Sequence, residues 1–84
     1  MLYNESTLRS AIPDHKTVNR FIESNGYAFL VFGMTSDWVL VQRCFMKEGG
    51  LCFKRMMKIR YNEVKGIIEK PTELDNNGKL INNG

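Results

Sequence analysis

Two strand-prone runs stand side by side in this chain, and they restrict its fold more than any other feature. The first is Tyr27-Ala28-Phe29-Leu30-Val31-Phe32-Gly33-Met34 and the second is Trp38-Val39-Leu40-Val41-Gln42-Arg43-Cys44-Phe45-Met46. Aromatic and branched side chains fit a pleated strand. Thr35-Ser36-Asp37 between them is a turn cluster, so the pair reads as an antiparallel hairpin. The first run and the first half of the second are apolar at consecutive positions, whereas a strand buried on one side only alternates. Both faces of the hairpin are therefore expected to be covered, by helices on one side and by another element on the other. A chain of 84 residues makes one domain at most. A lone hairpin is only marginally stable, so edge-to-edge joining of hairpins in a homodimer is the expected completion of the sheet.

Three helices are expected around the hairpin. Leu8, Ala11 and Ile12 recur at helical spacing before Pro13, which predicts a short helix over residues 5–11. Asp14 reads as an N-cap, Val18, Phe21 and Ile22 form an i, i+3, i+4 stripe, and Asn25-Gly26 supplies a left-handed exit. That pattern predicts a second helix over residues 14–24. After Lys47-Glu48-Gly49-Gly50, the apolar residues Phe53, Met56, Met57, Tyr61, Val64, Ile67 and Ile68 fall on one helical arc, with Lys54, Arg55, Lys58, Asn62, Lys65 and Glu69 opposite. That predicts a third helix over residues 51–70, stopped by Pro71, with a strand as the alternative for 51–61. Only Arg60 lies in the apolar arc. A buried guanidinium needs a carboxylate, so Arg60 is expected to reach across an interface. The expected fold is thus α+β, a two-layer α-α-β-β-α domain over residues 1–71 with its hairpin extended by dimerisation. Residues 72–84, rich in Asn and Gly, are expected to form a polar tail.

Charge is distributed unevenly. The chain has 12 basic and 9 acidic residues, a net charge of +3. Residues 43–60 hold Arg43, Lys47, Lys54, Arg55, Lys58 and Arg60 against Glu48 alone, while the flanking segments are each net −1. On the helical reading, Lys54, Arg55 and Lys58 share the outer face. Together with Arg43 and Lys47 they form one basic surface suited to a phosphate backbone. Tyr27, Phe29 and Phe45 are candidates for stacking on unpaired bases. The competing reading is a solvated helix face, with Tyr27, Phe29, Val39, Val41, Phe45 and Arg60 buried in the core or in a subunit interface.

Other chemistry is poorly represented. His15 is the only histidine, and a catalytic imidazole needs a nucleophile or an orienting carboxylate beside it. The plainer reading of His15 is a surface residue in a first helical turn. Cys44 and Cys52 form no zinc-ligand pairing, and two cysteines fit a reducing cytoplasm. Gly49-Gly50 is too short for a phosphate-binding loop. Asn4-Glu5-Ser6 is a glycosylation acceptor that matters only in a secreted chain. Asn4, Glu5 and Arg9 interrupt any signal sequence after Leu2. The longest apolar stretch falls far short of the ~20 residues of a membrane helix. No catalytic residue, metal, cofactor, membrane or small-molecule substrate is expected, and the chain is not expected to be an enzyme.

A short, basic chain with an Asn-rich tail and no catalytic motif resembles the small accessory proteins of T-even-like bacteriophages. That resemblance implies a protein that binds and disables a host factor, such as a toxin ribonuclease or another defence enzyme. The function expected on both grounds is binding of RNA, or of a nucleic-acid-handling host protein, through the basic surface. The alternative is a protein–protein adaptor that uses its apolar sheet face.

Overall fold

Asn25 and Gly26 both have positive φ, at 54° and 85°, and they join two strands instead of ending a helix. β1 (Phe21–Ser24) and β2 (Tyr27–Met34) pair antiparallel with Ser24 opposite Tyr27, so the connection is a two-residue turn. Asn-Gly suits that turn because both central residues must be left-handed. Glu48 and Gly49, with φ of 54° and 78°, repeat the device between β3 (Trp38–Lys47) and β4 (Gly50–Arg60). β5 (Gly66–Ile68) returns to pair with β1 after a single 3-10 turn over Tyr61–Glu63. The result is one antiparallel sheet in the order β4-β3-β2-β1-β5. The only α-helix among the described residues is α1 (Glu5–Ala11). These positions come from a computed structural model, which describes residues 2–71 and 74–81.

The α-α-β-β-α expectation and its α+β class are therefore wrong: the chain is mostly sheet, with one short helix. The predicted helix over 14–24 is replaced by a turn and β1. Phe21 and Ile22 point to opposite faces of the sheet and are both buried. A strand covered on both sides thus mimics part of a helical stripe. The predicted helix over 51–70 is β4, the 3-10 turn and β5. A bulge explains the deception. Gln42 pairs with Met56 and Cys44 with Phe53, so Lys54 and Arg55 together face Arg43. One extra residue flips the alternation. Leu51 and Phe53 then share a face with Met56, Lys58 and Arg60, and the three-residue step from 53 to 56 imitates a helical period. The sheet reaches five strands within one chain, with β4 at one edge.

Two cores cover opposite faces. On the first, Leu8 and Ile12 pack on Ile22, Phe29, Val31, Val39, Val41 and Ile59. Asn4 caps α1 by accepting from the Thr7 amide at 2.9 Å, while Thr7 Oγ1 accepts from the Asn4 amide at 2.8 Å. Arg9 Nη2 donates to the Met34 carbonyl at 3.0 Å and ties the helix to the end of β2. On the second face, Phe21, Ala28 and Cys44 are covered by Leu74 and Leu80. The segment carrying them turns on Asp75, whose Oδ1 accepts from the amides of Asn77 and Lys79. The Leu80 amide bonds to the Gly26 carbonyl. Residues 72, 73 and 82–84 of the expected tail lie outside the described residues.

Candidate nucleic-acid interface

The bulge at Lys54 and Arg55 also divides the basic residues. Lys47 is exposed at the end of β3. Arg43 is half-buried beside Phe29, its guanidinium carbon 4.8 Å from the centre of the Tyr27 ring. Lys54 lies on the same face, with Nζ 5.8 Å from the Phe45 ring. Arg55 occupies the bulge. Lys58 and Arg60 belong to the opposite face, where both approach Trp38. Lys58 Nζ is 4.3 Å and the Arg60 guanidinium carbon 3.9 Å from the centre of the indole. The five residues expected to form one basic surface, Arg43, Lys47, Lys54, Arg55 and Lys58, are therefore divided, with Lys58 on the face opposite Arg43 and Lys54.

The outer edge of β4 is open. Among the described residues β4 pairs with β3 alone, and Lys54, Arg55, Met56, Met57, Lys58 and Arg60 are all exposed. Among the described residues the ion pairs are Glu5–Arg9 and Asp14–Arg20. Among the described residues no carboxylate pairs with a cation of β3 or β4. The Trp38 end of the second face is also uncovered, because the 74–81 segment packs on the Phe21, Ala28 and Cys44 sector. A shallow cleft of about 210 Å³ opens there between Leu40, Met56, Met57 and Lys58.

The other candidates lie elsewhere. Phe29, Val39 and Val41 are buried in the chain's own core, and Tyr27 packs at its margin. Phe45 is half-buried beneath Lys54. Arg60, placed in an apolar arc by the helical reading, is exposed on an aromatic ring, and its backbone amide donates to Glu63 Oε2 at 3.2 Å. His15 is buried, contrary to the surface position expected for it, with Nδ1 3.2 Å from the Ile12 carbonyl. Its neighbour Asp14 takes two hydrogen bonds from Arg20, one at 2.8 Å from Nε, which hold its carboxyl below the usual range. Burial pushes the Cys44 thiol up to about 11. The residue that sequence reasoning missed is Trp38. Only the bulged register puts Arg60 opposite it and Lys58 diagonal to it.

No protein-family model matches the chain, and neither a curated protein nor a solved structure does. What fold and geometry define is a small antiparallel sheet with a cationic, unpaired edge strand.

Proposed function

We propose that this protein is a non-enzymatic binding protein that takes single-stranded RNA along the outer edge of β4. One observation carries the reading: four exposed cations, Lys54, Arg55, Lys58 and Arg60, follow one another on a strand that contains no acidic residue and makes no ion pair among the described residues. Phosphate spacing tolerates cations on both sides of an edge, so the split of the basic residues between two faces is compatible with a strand that lies along it. Such contacts are insensitive to sequence and sensitive to salt. Anisotropy of a labelled RNA of about 12 nucleotides tests this. Wild type binds, and the combined replacement of Lys54, Arg55 and Lys58 by Gln weakens binding with the fold intact by circular dichroism. Unchanged affinity in that variant sinks the reading.

A second reading has its own support. β4 is 11 residues long with an unpaired outer edge, and Met56 and Met57 are exposed on it. A host protein, including a nuclease or toxin, can add a strand to such an edge. Met57→Lys separates the two readings: it abolishes strand addition and leaves RNA binding in place.

A further inference from the structure

We propose that Trp38, flanked by Arg60 and Lys58, is a stacking site for an unpaired nucleobase. The inference rests on the single-stranded RNA reading and locates a specific contact within it. Trp38 opens β3 and is half-buried, and the Arg60 guanidinium and the Lys58 ammonium lie over its ring. Its backbone is pinned on both sides. The Trp38 amide donates to Thr35 Oγ1 at 3.0 Å, and the Thr35 amide donates to the Trp38 carbonyl at 2.8 Å. The buried Tyr61 hydroxyl donates to the Thr35 carbonyl and fixes the turn from beneath. The backbone that carries the ring is thus ordered before binding.

The surroundings select the ligand. Two cations already lie 4.3 and 3.9 Å from the indole centre, so a cationic ligand is repelled. A purely apolar ligand gains nothing from Lys58 or Arg60. A nucleotide supplies what both require: a flat π face for the indole or the Arg60 guanidinium plane, and a phosphate for the Lys58 ammonium. The cleft between Leu40, Met56, Met57 and Lys58 shares Lys58 with this site and gives the next nucleotide an apolar floor.

Trp38 is the chain's single tryptophan, so its emission reports this site alone. Titration with oligouridine is expected to quench it, with the same midpoint as anisotropy of the labelled strand. An abasic strand of equal length binds more weakly and leaves emission nearly unchanged. Trp38→Ala lowers affinity about fivefold or more, the loss of one stacked base. Trp38→Phe retains part of it and guards against misfolding, and Arg60→Gln reduces both affinity and quenching. The proposal is overturned if the strand binds by anisotropy while emission stays constant and both Trp38 variants bind like wild type. It is also overturned if polyglutamate quenches as strongly as oligouridine, which assigns the site to an acidic protein. Absence of RNA binding in every assay removes the single-strand reading itself, and this site with it.

Discussion

Cys44 shows how far a single side chain is governed by its cover. It is fully buried on the sheet face that Leu74 and Leu80 close, and its thiol is raised from an ordinary value of 9 to about 11. The folded thiol therefore stays neutral after the unfolded one has ionised. The stability it contributes is complete below pH 9 and is lost as pH rises through about 11. Urea midpoints of wild type and Cys44→Ala should converge over that window, and parallel curves would contradict the burial. The same cover depends on Gly78, at φ 89°. A methyl group there would run into the Cys44 carbonyl oxygen. Gly78→Ala should cost more than about 1 kcal/mol in chemical denaturation, and a neutral result would mean that the 74–81 segment does not pack as described. At this scale the sequence was legible in part. The basic residues were visible as a cluster, but their faces were not, because one bulge decides the parity of everything after Phe53. The Arg60 anomaly was the useful clue: a guanidinium that fits no apolar helix arc fits an exposed strand beside tryptophan.

The elements are set by their turns. Asn25-Gly26 and Glu48-Gly49 adopt the same left-handed pair of conformations, and the first has the residues that such a hairpin prefers. Glu48 does not, since a side chain beyond Asn or Asp pays for positive φ. Glu48→Asn should stabilise the fold by about 0.5–1 kcal/mol, which is roughly 2–8 °C in a domain of this size. A thermal melt checks it, and a lower midpoint would contradict the turn geometry. The hairpin over residues 27–46 was readable because its apolar runs are long and its turn residues distinct. β1 and β4 were not, for different reasons. β1 is four residues long and buried on both faces, so it shows no alternation. β4 lies at the edge, where exposure leaves its pattern to the bulge rather than to burial.

At the scale of the molecule, two small cores lie on opposite faces of the sheet. Each depends on a non-sheet segment, α1 on one side and residues 74–81 on the other. Ile22 is fully buried where β1 lies between β2 and β5. Ile22→Ala should cost about 2–5 kcal/mol, a large share of the stability of so small a domain. The central claim is that the cations of β4 meet phosphates, and the salt dependence of RNA binding tests it most directly. The logarithm of affinity should fall linearly with the logarithm of salt concentration. The slope should flatten by roughly 0.7 for each of Lys54, Arg55, Lys58 and Arg60 replaced by Gln. A slope that stays the same as these charges are removed would contradict the claim.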